Sequence, residues 1–178
     1  MPGRFRQPRP ERWLIVLALL ALVLWRAWEA QQAPPQAQLL EPGEYRVRRA
    51  VDGDTLLLEN GVRVRLIGVD TPESVHPELP PEPGGKEAAE YTRQAVEGRY
   101  VTLSFDRERL DRFGRHLGYV TVDGRLLNEE LIRKGYGRAT LQYDFSSAMK
   151  KRFRIAQQQA QKERLGIWAQ PLESAPMH

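Results

Sequence analysis

From Tyr45 to Val69 short apolar stretches are broken by basic and turn residues, and Val62 onward alternates with a period of two, which predicts extended chain. Tyr45 to Val51 mixes apolar and basic residues as a first strand, Asp52-Gly53-Asp54 is turn chemistry, and Thr55 to Glu59 forms a second strand. Asn60-Gly61 is the strongest short hairpin signal in the chain, and Val62 to Val69 then runs back as a third strand. Such a hairpin holds Asp54 near the start of one strand and Asp70 just past the end of its antiparallel partner. Their carboxylates can therefore converge although they lie sixteen positions apart. A proline-rich loop, Val75 to Gly85, follows. The period then lengthens: Glu87 to Glu97 predicts a helix packing through Ala88, Tyr91, Ala95 and Val96, with Gly98 at its C-terminal cap. Tyr100–Phe105 and His116–Val122 read as strands. Asp123-Gly124 turns the chain into a helix through Leu126, Leu127, Leu131 and Ile132, ended by Gly135, and a last helix covers about Ser146 to Arg164. Five strands in a meander with helices inserted late predict an α+β, mainly β, domain over residues 44–170: a five-stranded barrel of the OB type with three helices.

The segment before this domain has a different pattern. Residues 1–12 are basic and broken by proline, and Trp13 to Trp25 is an unbroken apolar run closed by Arg26. Its thirteen residues would reach roughly 20 Å as a helix, against about 30 Å of hydrocarbon core. Ala27 and Trp28 lengthen the usable span, three tryptophans suit interfacial positions, and Arg12 and Arg26 can snorkel. No small-x-small cleavage pair follows: Trp28 precedes Ala30 by two and Gln31 precedes Ala33 by two. The expectation is a hydrophobic helix over 13–30 that stays as a single-pass anchor in the cytoplasmic membrane, inserted through residues 13–28. The arginines before it place its N-terminus inside and the folded domain outside. The alternative is a signal peptide, cleaved to release a secreted protein. Residues 31–43 read as a Pro/Gln-rich linker and 171–178 as a tail.

Charge and cysteine content narrow the chemistry. The 178-residue chain carries 27 basic and 23 acidic residues. Five of the arginines but only two acids precede residue 31, so the folded part is nearly neutral, and phosphate binding must come from local patches. There is no cysteine, which excludes disulfides, thiolate metal sites and a cysteine nucleophile. With only His76, His116 and His178 besides, a zinc site would be poor in ligands. Nothing in the chain implies an obligate protein partner, and a monomer is expected.

Asp52, Asp54, Asp70 and Glu73 stand within one short stretch with Arg65 among them, and a further arginine closes Asp111-Arg112-Phe113-Gly114-Arg115. Two aspartates can hold a hard divalent cation while leaving positions open for phosphate and water. Arginine suits phosphate because its fork donates two bonds and stays ionised. Near such cations Glu73 is expected to keep a low pKa and to act as a weak base. Asp52 is read as a turn residue, His116 as a strand residue, and Trp168 as packing for the C-terminal segment. Lys150 to Arg154 is read as a solvated helix face, and Arg115 has Asp111 as a bland alternative partner.

Val51-Asp-Gly-Asp-Thr55, Arg65 with Val69-Asp-Thr-Pro-Glu73, Asp111-Arg-Phe-Gly-Arg115, Leu127 to Gly135 and Ala160 to Trp168 recur in an order and spacing that resembles the staphylococcal nuclease (thermonuclease) family, over about residues 45 to 169. The resemblance implies calcium-dependent endonucleolysis of DNA and RNA, leaving 3′-phosphate ends, by an OB-like barrel with three helices. By the same resemblance Asp54, Asp70 and the Thr71 carbonyl would hold Ca²⁺. Glu73 would orient or deprotonate the attacking water, and Arg65 and Arg115 would grip the scissile phosphate. Arg112, Phe113 and Tyr143 would contact substrate. Phe113 stands where the family usually has tyrosine, and Leu141-Gln142-Tyr143 keeps one of two expected tyrosines. The alternative function is a non-catalytic, nucleic-acid-binding module of the OB type, for which loss of the acids or arginines would be expected.

Overall fold

The structure is a computed structural model and describes residues 20, 22, 39–74 and 80–169. The chain divides into two compact units, residues 1–38 and 39–178. In the first, the described residues are Leu20 and Leu22, both helical and exposed. The expected anchor otherwise lies outside the described residues, as do the C-terminal tail and the centre of the proline-rich loop. Among the described residues no helix is long and apolar enough to cross a membrane.

In the second unit β1 (Gly43–Asp52), β2 (Thr55–Leu58), β3 (Arg63–Leu66), β5 (Tyr100–Ser104) and β6 (His116–Val122) form a closed barrel. The order is β3-β2-β1-β5-β6, and β6 returns to β3 in parallel, with Val64 opposite His116 and Arg65 opposite Leu117. The remaining elements are the short strands β4 (Val69–Asp70), β7 (Arg125–Leu126) and β8 (Arg138–Ala139). The helices are α1 (Gly85–Val96), α2 (Leu127–Arg133) and α3 (Ser147–Lys162), followed by a 3₁₀ turn at Gly166–Trp168. The expected five-stranded OB-type barrel with three helices is thus the observed fold. It closes through a parallel pair, which sequence alternation alone does not announce.

Alternation explains which face turns inward. Val47, Leu56, Leu58, Val64 and Leu66 are fully buried, while their neighbours Leu57 and Arg63 face outward. The hairpin between β2 and β3 turns at Asn60-Gly61 as expected: Gly61 takes φ 82°, and the Asn60 side chain accepts from the Val62 N–H at 3.1 Å. The third strand, expected to run unbroken to Val69, does not. Gly68 adopts φ 80° and bends the chain into β4, which pairs with β8. A Cβ on Gly68 would lie 2.5 Å from the Phe153 ring, so α3 packs directly onto the glycine. The break is a packing event that an apolar run cannot reveal. Helix α3 contributes Phe153, Ala156 and Ala160 to the core, one face at helical spacing.

One buried polar residue joins these parts. Asn128 is inaccessible to solvent; its Nδ2 donates to Ile67 O at 2.9 Å and Gly118 O at 3.1 Å, and its Oδ1 accepts from Val120 N–H at 2.9 Å. It therefore ties the chain just after β3 to β6. Asn128→Ala leaves buried backbone groups unmet, at about 1 to 3 kcal/mol each. A loss of about 3 kcal/mol or more is expected in a urea-unfolding titration. Asn128→Asp should fare no better, because a carboxylate cannot donate to the two carbonyls.

Candidate functional site

The turn Gly53-Asp54 between β1 and β2 sets the site. A Cβ on Gly53 would lie 2.6 Å from Thr71 Oγ1 and 2.9 Å from Ala88 Cβ, so only glycine lets Thr71 and α1 approach this closely. From α1, Thr92 Oγ1 donates to Gly53 O at 2.6 Å and clamps the turn. Asp54 is thereby held almost fully buried. Its Oδ2 accepts from Thr71 N–H at 2.9 Å and from Thr71 Oγ1 at 3.2 Å, and its Oδ1 accepts from Thr55 Oγ1 at 3.0 Å.

Arg65, opposite Thr55 in β3, completes the centre. One Nη pairs with Asp54 Oδ1 and the other with Asp70 Oδ1. The two aspartates therefore do converge, on a single guanidinium. Asp70, in β4, keeps 58% of its side chain exposed and opens the cluster to solvent. Burial works against the charge of Arg65, but Asp54, and then Asp70, outweigh it and raise its pKa, so the group stays cationic.

Glu73 lies on the exposed side of the same segment, its backbone fastened by Glu82 and by Gly85, where a Cβ would meet Glu73 O at 2.4 Å. Here the expectation of a low pKa is corrected. A hydrogen bond shared with the Asp52 carboxyl, then desolvation and the charges of Asp52 and Asp54, push Glu73 up from 4.5 to about 7; Arg65 opposes the rise only in part. Asp52 is a turn residue as expected: its Oδ1 accepts from Gly53 N–H at 2.8 Å and from Ser74 Oγ at 2.7 Å. Through Glu73 it also tunes the site, which sequence reasoning missed. The only signal was its two-residue spacing from Asp54.

Arg115 is placed differently. Its Nε donates to Asp111 Oδ2 at 2.6 Å, and Asp111 Oδ1 accepts from the backbone N–H groups of Phe113 and Arg115. The ion pair that Arg115 makes is with Asp111, not with the aspartates of the centre. Asp111 is thus a positioning residue, its side chain 2% exposed. Register brings this loop near: Arg115 precedes His116, the first residue of β6, and Arg65 lies opposite Leu117. Phe113 is exposed, with the guanidiniums of Arg112 and Arg115 at 4.7 and 5.4 Å from its ring centre. Tyr143 is half-buried against the core rather than standing free. His116 is a buried strand residue whose Nε2 accepts from Leu40 N–H at 3.1 Å. Trp168 lies under the Arg138 guanidinium, 4.6 Å from its ring centre.

A hard cation fits the donors at the centre. Two carboxylates converge on one cationic group, the surrounding donors are hydroxyl and carboxylate oxygens, and Asp70 leaves one side open. Among the described residues no cluster of three or more His, Cys, Asp or Glu side chains gathers to hold a metal. Protein carboxylates would therefore supply only part of a coordination shell.

Arg65, Asp70, Glu73 and Arg115 fall within a stretch that matches a known family. The family described as staphylococcal nuclease homologue matches residues 63–170. Thermonuclease of Staphylococcus hyicus is 36% identical over 162 residues, covering 88% of this chain and 95% of that protein. Thermonuclease of Staphylococcus intermedius is 40% identical over 127 residues, 70% of this chain and 75% of that protein. Endonuclease YncB of Bacillus subtilis is 36% identical over 125 residues, 68% of this chain and 59% of that protein.

Proposed function

The chain belongs to the staphylococcal nuclease family and is a nuclease acting on nucleic acid, and from that premise we propose that it is a calcium-dependent endonuclease that cuts DNA and RNA alike and leaves 3′-phosphate ends. The observation that supports this most is the guanidinium of Arg65 held between Asp54 and Asp70, with Glu73 on the same segment. In this reading Asp54, Asp70 and Thr71 hold Ca²⁺, which when bound neutralises phosphoryl charge and lines up the nucleophile.

The chain's own groups do the rest. Arg65 and Arg115 donate to the scissile phosphate, each aimed at charge that grows in the transition state. Arg65 reaches it from the floor of the centre, Arg115 from a loop held rigid by Asp111. Glu73, with its pKa raised to about 7, takes a proton from water more readily than an ordinary carboxylate. Selection for ribose or deoxyribose would need donors or acceptors aimed at the 2′ position; the groups of this centre address phosphate and water, which supports a sugar-nonspecific enzyme.

The test is digestion of plasmid DNA and of RNA by the full chain, with Ca²⁺ and with EDTA. Cutting of both substrates with Ca²⁺ and of neither with EDTA is expected. Equal cutting under both conditions would sink the calcium reading, and protection of one substrate would sink the nonspecific one. The apolar run before the domain supports a further proposal, that the enzyme works outside the cytoplasmic membrane on an uncleaved anchor. N-terminal sequencing of the protein from membranes should return the residues before Trp13; a start beyond residue 30 would mean release instead.

A further inference from the structure

The outer face of β1, β2 and β3 carries two rows of paired residues. Asp52, Thr55 and Arg65 stand side by side in the row nearest the centre. Arg49, Leu57 and Arg63 stand side by side in the next. In β2 and β3 the rows are two residues apart, roughly 7 Å along the strand, and in β1 a bulge makes the step three residues. Beside β3 runs β6, with Val64 opposite His116, so Arg63 and Arg115 each immediately precede the first paired position. The second row thus runs from Arg49 through Leu57 and Arg63 to a candidate phosphate-gripping arginine, and it flanks the row that contains the other.

Its charge is uncompensated. Arg49 and Arg63 are exposed, and among the described residues neither has an ion pair; the surface arginines Arg93, Arg99 and Arg107 each have one. In the row beyond, Arg46 O accepts from Glu59 N–H, so an acidic residue stands opposite the arginine there. Leu57, half-buried, is the only uncharged side chain between the guanidiniums of the second row. In a domain whose average charge is close to zero, such a line marks where a polyanion is drawn. Its occupant follows from continuity. The line begins beside the scissile-phosphate position and lies one row away, a separation suited to successive phosphates of one strand rather than to a second, independent ligand.

We propose that Arg49 and Arg63 form a phosphate track that holds the substrate strand beyond the scissile phosphate, so that affinity rises with strand length along this face. This rests on the nuclease reading only for its starting point, and binding can be measured apart from cleavage. The probe is fluorescently labelled single-stranded oligothymidylate of two and of twelve nucleotides, bound by the full chain in EDTA over a range of NaCl concentrations, with anisotropy as the readout. The double variant Arg49→Ala/Arg63→Ala is expected to bind the twelve-mer about tenfold more weakly and the dinucleotide within about twofold of the wild-type chain. Two lost phosphate contacts should flatten the plot of log affinity against log salt by about 1.4. Arg49→Lys/Arg63→Lys should restore the slope, because charge rather than the fork sets it. Arg154→Ala, an exposed arginine on α3, serves as control and should change neither quantity. Equal weakening at both lengths, an unchanged twelve-mer, a wild-type chain that binds no twelve-mer, or the same effect from Arg154→Ala each overturns the track. A wild-type chain that shows the track but leaves the twelve-mer uncut when Ca²⁺ is added overturns the nuclease reading and leaves the track standing.

Discussion

Replacing Arg65 with alanine lowers cleavage by at least about 10²- to 10³-fold, the usual effect of removing one donor to a transition-state oxyanion. It also destabilises the calcium-free protein by about 3 to 5 kcal/mol, the range for breaking one side of a buried ion pair. Both effects come from one position. The Arg65 guanidinium pairs with Asp54 and Asp70 at once, and Asp54 is 4% exposed. Without it Asp54 keeps hydrogen bonds from Thr71 and Thr55 but has no cation beside it. Added Ca²⁺ should recover much of the lost stability, because it supplies charge between the same carboxylates, and none of the lost rate. Urea unfolding with and without Ca²⁺, beside kcat/KM, separates the two. Arg65→Lys should recover part of the stability and little of the rate, since a point charge cannot reach both acids and a phosphate as a fork does. Unchanged cleavage by Arg65→Ala would remove this residue from the mechanism.

Glu73→Gln is expected to cut the rate by about 10²- to 10⁴-fold, the contribution of a positioned general base, in a protein that is no less stable. The pKa of Glu73 explains the second half. Its folded value, about 7, lies above its ordinary value of 4.5. The unfolded chain therefore gives up its proton first, and stability falls as pH rises from about 4.5 through about 7. Above that range an ionised Glu73 burdens the fold, because it gives up its hydrogen bond to Asp52 and meets the charges of Asp52 and Asp54, with only Arg65 in its favour. Glutamine carries no such charge, so at pH 8 the variant should melt at or above the wild-type temperature. Activity has the opposite sign, because a base must be deprotonated to act. The wild-type rate should rise with pH through an acid limb that lies near 7 when Ca²⁺ is scarce. The limb should move down as Ca²⁺ saturates, since a cation between Asp54 and Asp70 cancels charge that holds the proton on Glu73. Glu73→Gln should lack the limb; a limb unchanged in the variant would assign it to another group.

The barrel was largely legible because its cues are local. An apolar run in Thr55–Leu58 and alternation in Arg63–Leu66, with Asn60-Gly61 between, need no distant partner to be read as a hairpin. Once the hairpin is drawn, the convergence of Asp54 and Asp70 follows from strand geometry. The break at Gly68 did not follow, because its cause is Phe153, eighty-five positions away. Parallel closure between β3 and β6 did not follow either, since nothing in one strand's pattern identifies its neighbour.

The site divides in the same way. Residue types and spacing gave the expectation of a hard-cation, phosphate-handling chemistry at Asp54, Asp70, Glu73, Arg65 and Arg115, and composition excluded thiol chemistry outright. Only the folded chain decided their electrostatics. Glu73 was expected to be acidified by arginines, yet Asp52 stands closer in effect and raises it. Arg115 is held by Asp111 in a local turn, while Arg65 spans the two aspartates. Arg49 and Arg63, unremarkable along the chain, become neighbours of the centre only through strand register. The physical reason is common to all of these. Local dihedral preference and side-chain period are properties of a few adjacent residues and are written in the sequence. A pKa, an ion pair or a line of charge depends on distances between residues far apart in the chain, and those distances exist only after the barrel closes.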